Sequence, residues 1–218
     1  MEEVIDTMLM IVAFALAIIC HEVAHGLAAL WLGDDTAKKA GRLTLDPIPH
    51  IDPIGSILLP AVLALTGTGV MFGWAKPVPV NLARMRNQRK GLWVTAIAGP
   101  LTNLILAIVG ALLARLVLWR IMNSDLGDSE HDLIWKGVGF LVYVVQINVL
   151  LMVFNMLPIP PLDGSRVVAA MMRPAQARTY LRFGQFGFIA IFLLMNFGAL
   201  DRVIGPLFGW LTAVLLGI

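Results

Sequence analysis

The sequence predicts an all-α integral membrane protein, with five to six transmembrane helices and a re-entrant extended segment near its polar centre. Two observations carry that expectation. The 218 residues are 59% hydrophobic and only 14% charged, with a mean hydropathy of +0.84, whereas a soluble domain is about half apolar and about 25% charged. Residues 4–20, 92–119, 134–157 and 183–200 form apolar runs that approach or exceed the ~20 residues needed to cross a hydrocarbon core. No repeat, low-complexity tract or linker divides the chain, so a single domain over 1–218 is expected.

The elements follow in order. A first core helix is expected over 4–32. Its acidic start, "MEEVID", lacks the basic region of a signal peptide and no cleavage site follows, so the helix should be retained. A polar stretch, "DDTAKKAGRLTLDPIPHIDPIG", leads to a short apolar run at 56–72 that contains Pro60, Gly67 and Gly69. This run need not cross. We expect a helix at 57–66 to dip in and the chain to return, a re-entrant unit over 56–82. The prolines of "GWAKPVPVNL" favour extended backbone. Core helices are then expected at 91–119 and 134–157, the second breaking at "NMLPIPPLDG". A short piece at 164–172 precedes C-terminal helices at 178–200 and 203–217.

Charge placement orients these helices. Residues 73–91 carry Lys76, Arg84, Arg86, Arg89 and Lys90 with no acid, and residues 164–182 carry Arg166, Arg173, Arg178 and Arg182. The segment at 121–133 carries Asp125, Asp128, Glu130 and Asp132 with no base. Basic loops stay on the cytoplasmic side, so both basic segments are expected inside and the acidic one outside. Other classes are excluded. A net charge of +2 without interleaved basic and aromatic residues speaks against nucleic acid. The single cysteine, Cys20, permits neither an internal disulfide nor a cysteine zinc cage.

The chemistry lies in "CHEVAHG". Ionisable side chains inside an apolar membrane helix are costly and mark function. His21 and His25 are four apart, so they share one helix face and can grip one metal ion, with Glu22 beside them as a general base. The alternative is a pair of core histidines bonded to nearby carbonyls. A catalytic zinc takes three protein ligands and keeps one position open. Asp163, on the backbone bend of "PPLDG", is the leading third candidate, although it also suits a helix N-cap for 164–172. Of the other histidines, His131 falls in the acidic segment, and His50 reads as a fourth ligand, a gate or a loop cap.

Together these residues resemble the site-2 proteases, intramembrane zinc metalloproteases. The resemblance rests on "HEVAHG", on "AGPLTN" at 98–103 and on "NMLPIPPLDG" at 155–164, with "GRLTLDPIPHIDPIG" and "GWAKPVPVN" typical of the compact bacterial branch, without PDZ or CBS domains. It implies His21, His25 and Asp163 as ligands of one zinc ion per chain and Glu22 as the base. Asn103 and Asn155 match family asparagines. Each either donates to a developing oxyanion or bonds helix to helix. Gly99 and Pro100 suit close helix packing beside the site. Residues Trp74, Ala75, Lys76, Pro77 and Val78 either dock an unwound substrate strand by β-addition or simply connect. The expected partners are a transmembrane protein or peptide substrate and the lipid bilayer. The expected location is the bacterial inner membrane, with the active site in its cytoplasmic half. The alternative function is a non-hydrolytic metal-binding protein or zinc transporter. Retention of Glu22 and the scarcity of charge elsewhere in the helices favour the protease.

Overall fold

A computed structural model describes residues 2–66, 73–123 and 128–217. The backbone at 67–72 and 124–127, and the side chain of His131, lie outside the described residues, so the expectations for Gly67, Gly69 and the tip of the acidic loop fall there too. Among the described residues there is no strand, and the long helices are α1 (Glu2–Trp31), α4 (Gln88–Met122), α5 (Asp128–Asn155) and α9 (Ala199–Leu216). Between and around them lie α2 (Thr36–Lys39), α3 (Leu59–Thr66), α6 (Asp163–Met171), α7 (Pro174–Arg182) and α8 (Gly184–Asn196).

Four described segments are long and apolar enough to cross a membrane: Glu3–Trp31, Gln88–Met122, Ile134–Asn155 and Ala199–Leu216. Two shorter apolar helices, Pro53–Leu63 and Gly184–Asn196, accompany them.

Helices α1, α4 and α5 form the core. Lipid tails are as apolar as leucine, so membrane helices associate where small residues let their backbones approach. The buried stripe of α4 is made this way: Gly91, Thr95, Gly99, Asn103, Ala107 and Ala111 recur every four residues. Ala13, Ala17 and Ala29 of α1 are buried as well, as are Val145, Val149 and Val153 of α5. Helix α4 runs antiparallel to both neighbours: His25 meets Thr95 while His21 meets Asn103, and Asn103 meets Asn148 while Gly110 faces Val144 and Val145. α9 packs on α5 and is tied to α4 where Arg115 Nη2 donates to the Val214 carbonyl at 2.9 Å.

The expected helix at 178–200 is divided. Polar α7 ends at Arg182, and α8 is 13 residues long, about 20 Å at 1.5 Å per residue. The division follows from packing: Gly187 lies so close to the Pro160 carbonyl that a Cβ there would come within 1.8 Å of it.

The excursion after α2 begins and ends at one place. The Trp74 N–H donates to the Gly55 carbonyl at 3.1 Å, and Ser56 Oγ donates to the Trp74 carbonyl at 2.9 Å. Whatever lies between, the chain leaves from residue 55 and comes back to it.

Candidate metal centre and active site

His21 and His25 are buried on the face of α1 turned to α4, their rings edge to face with centroids 4.6 Å apart. Their Nε2 atoms are 3.0 Å apart. Asp163 Oδ2 lies 3.1 Å from His21 Nε2 and 3.2 Å from His25 Nε2. Three donors therefore form a nearly equilateral triangle. A tetrahedral zinc with bonds of ~2 Å spaces its ligand atoms about 3.3 Å apart. The triangle fits one face of that shell and leaves the fourth corner free.

Both imidazoles are held in the tautomer that metal binding needs. His25 Nδ1 is 2.6 Å from the Thr95 carbonyl oxygen. A carbonyl only accepts, so Nδ1 carries the proton and Nε2 keeps its lone pair. Pro100, buried in the same helix, lacks the N–H that would meet the Ala96 carbonyl. His21 Nδ1 lies 2.6 Å from Asn103 Oδ1. Here the amide is oriented by its other bonds. Asn103 Nδ2 donates to the Ala17 carbonyl at 3.2 Å and to Asn148 Oδ1 at 2.8 Å, which turns its oxygen to His21. Asn148 is anchored by donation to the Val144 carbonyl at 2.8 Å. The two asparagines are 0% and 1% exposed, and leaving such a group unpaired costs about 1–3 kcal/mol. The chain of amides is therefore stiff.

Gly99 makes the room. It lies midway between Thr95 and Asn103, and a Cβ there would come within 2.6 Å of ring atoms of both His21 and His25.

Glu22 stands beside the triangle. With His21 and His25 it forms a group whose donor atoms lie within 4.8 Å of one another and could hold a metal. The tighter triangle is nevertheless the one that includes Asp163. Glu22 Oε2 instead accepts the Val78 N–H at 2.7 Å.

Comparison with known proteins agrees with this geometry. The profile of peptidase family M50 matches residues 130–196. YwhC of Bacillus subtilis, named as a zinc metalloprotease, is 37% identical over 191 residues, covering 85% of this chain and 78% of its own. The chain belongs to peptidase family M50, the site-2 proteases. Rip2 of Mycolicibacterium smegmatis, also named as a zinc metalloprotease, is 30% identical over 203 residues, 93% of this chain and 72% of its own. No solved structure matches the chain. The protein is a zinc metalloprotease, and zinc is its cofactor.

The remaining expected residues of the protease distribute as follows. Asp163 opens α6, where the cap position belongs to Leu162 and no side chain caps the helix. Its Oδ2 turns to the imidazoles instead, while Oδ1 lies 4.0 Å from Arg166 Nη1. Both amide hydrogens of Asn103 have acceptors within the protein, so it meets the site as an acceptor for His21. Asn155 Nδ2 donates to the Leu151 carbonyl of its own helix at 3.0 Å. His50 closes a short turn, its Nε2 donating to the Thr44 carbonyl at 2.9 Å.

The extended segment from Gly73 to Asn81 is fastened along its length. Lys76 N–H donates to the His50 carbonyl at 2.9 Å, and Arg42 Nη2 donates to the Lys76 carbonyl at 2.6 Å. At its end, Asn81 N–H donates to Asp34 Oδ2 at 2.6 Å. Burial disfavours the Asp34 charge, yet hydrogen bonds from Thr36 and Asn81 outweigh it and hold the carboxyl below the usual carboxylate range.

Sequence reasoning missed Thr95, Asn148 and Arg42. Thr95 acts through its carbonyl, which every residue has. Asn148 did carry a signal, being one of the few amides, with Gln146 and Asn155, in the apolar run 134–157, where polar groups are expensive.

Proposed function

We propose that this protease is an intramembrane endopeptidase, cutting transmembrane segments of other membrane proteins after they unwind. The observation that carries the reading is the Val78–Glu22 hydrogen bond. It puts an extended backbone within one bond of the residue best placed to act as base. Alternate residues of a strand turn to opposite sides. Trp74, Lys76 and Val78 spend main-chain groups inward and the Pro77 carbonyl accepts from Arg42 Nη1 at 3.4 Å, so Ala75 is left to pair outward, and Pro79 offers a carbonyl but no N–H. An unwound substrate segment thereby finds a short edge without strict sequence demands.

His21, His25 and Asp163 would hold the zinc, which would supply Lewis acidity at the scissile carbonyl and make a nearby water easier to deprotonate. Glu22 accepts the proton of the attacking water and delivers it to the leaving amine. The Val78 N–H holds one carboxylate oxygen and leaves the other for that work. The basic segments 73–91 and 164–182 support a cytoplasmic placement of the site in a bacterial cell membrane.

The test uses the Glu22→Gln variant as a trap in cells. Intact single-span membrane proteins should co-purify with it, and their fragments should appear when the wild type is restored. Cleavage of soluble unfolded peptides alone, with no membrane-spanning substrate cut in bilayers, overturns the reading.

A further inference from the structure

Away from the catalytic centre, the first turns of α4 and the outer side of α6 enclose an open cavity of about 570 Å³. Arg89, Lys90 and Trp93 line it from α4, and Val167, Ala170 and Met171 from α6. The lining is graded. Arg89 and Lys90 sit at the helix start and are exposed. Trp93, one turn further, is 42% exposed, and Met171 is 77% exposed. Lys90 Nζ also stands 5.9 Å over the ring of Trp31 on α1, so two tryptophans flank the bases, as at a membrane–water interface.

The charge is one-sided. Segments 73–91 and 164–182 carry nine bases and no acid, and the acids that meet the first of them, Asp34 and Asp35, do so at Asn81 and Arg84. Arg84 is paired with Asp35 at 3.2 Å, whereas no carboxylate pairs with Arg89 or Lys90 among the described residues. Arg89 Nε donates to the Ala170 carbonyl at 2.5 Å, which spends one of five guanidinium donors and fixes the group across the two helices.

We propose that this groove binds one anionic phospholipid, its phosphate against Arg89 and Lys90 and an acyl chain along Trp93, Val167 and Met171. Basic pockets between membrane helices suit anionic headgroups, while a zwitterionic headgroup gains little there. A free phosphate uses only the polar half. The lipid would rest on α6, the helix that begins at Asp163; binding itself does not depend on the zinc reading.

The test is native mass spectrometry of the full zinc-loaded chain in nonionic detergent, with equimolar phosphatidylglycerol and phosphatidylcholine. One phosphatidylglycerol per chain should be retained, with at least tenfold preference. Each basic group is worth about fivefold near a membrane surface, so Lys90→Gln should cost about fivefold and Lys90→Glu more than tenfold, with zinc content unchanged. Arg178→Glu, an exposed change on α7 outside the groove, should leave retention intact. Equal retention of the two lipids, equal loss in Arg178→Glu, or displacement by inorganic phosphate overturns the site.

Discussion

The metal triangle and the extended segment from Gly73 to Asn81 meet at Glu22, yet they are built in opposite ways. The triangle is made of side chains, two on the long α1 and one at the start of the short α6. Each imidazole is oriented by a second buried group: Thr95 for His25, Asn103 and then Asn148 for His21. The extended segment is made of main chain, fastened to loops by hydrogen bonds to the His50 carbonyl and the Asp34 carboxylate and from Arg42. A metal needs donors placed to within a few tenths of an ångström, which suits rigid helices packed on small residues. A surface for many different peptides needs only a backbone in register. The contrast separates placing atoms from offering a template.

The largest effect should come from the triangle itself. His21→Ala and His25→Ala should lose zinc, measured by metal content after dialysis, and Asp163→Ala should be substantially weakened. Wild-type affinity in Asp163→Ala would remove that carboxylate from the ligand set. Glu22→Gln comes next: zinc should remain, while cleavage falls by about 10²–10⁴, because an amide cannot take a proton from water. Loss of zinc in that variant would make Glu22 a ligand instead.

The supporting layer sharpens the contrast. Asn148→Leu removes the group that orients Asn103 without touching the triangle. Metal affinity should drop about 10–100-fold, as for outer-shell partners elsewhere, and the spectrum of cobalt placed in the site should shift. An unchanged spectrum would leave Asn148 only a helix-packing role.

The smallest effect belongs to the template. Replacing residues 77–80, "PVPV", with glycines should impair cleavage of helical membrane substrates by several-fold more than that of extended peptides. Equal losses on both would make the segment a plain connector.

Much of this architecture is legible in the sequence, because polar residues are so few in an apolar chain. His21, Glu22, His25 and Asp163 stand out for that reason, and folding brings the two imidazoles and Asp163 within 3.2 Å of one another. Long helices are equally plain from their apolar runs. The division of 178–200 is not, because it depends on Gly187 meeting Pro160 across the fold. Nor is the part played by Asn103. As a sequence feature it suits an oxyanion donor or a helix-to-helix bond, and only the neighbouring Ala17 carbonyl and Asn148 decide which way the amide turns.

The pairing of Gly55 with Trp74 has an evolutionary consequence. The loop it closes is clamped at its neck, so its length is decoupled from the register of the backbone reaching Glu22. Doubling a flexible loop costs only about 0.6 kcal/mol of closure entropy. Insertions and deletions should therefore accumulate between residues 57 and 73, where a changed length leaves Val78 in place. The stretch from Lys76 to Asn81 has no such freedom: one added residue there would shift the Val78 N–H off Glu22 or the Asn81 N–H off Asp34. Length variants of the two stretches, compared for cleavage with zinc content held equal, would show whether tolerance divides at Trp74.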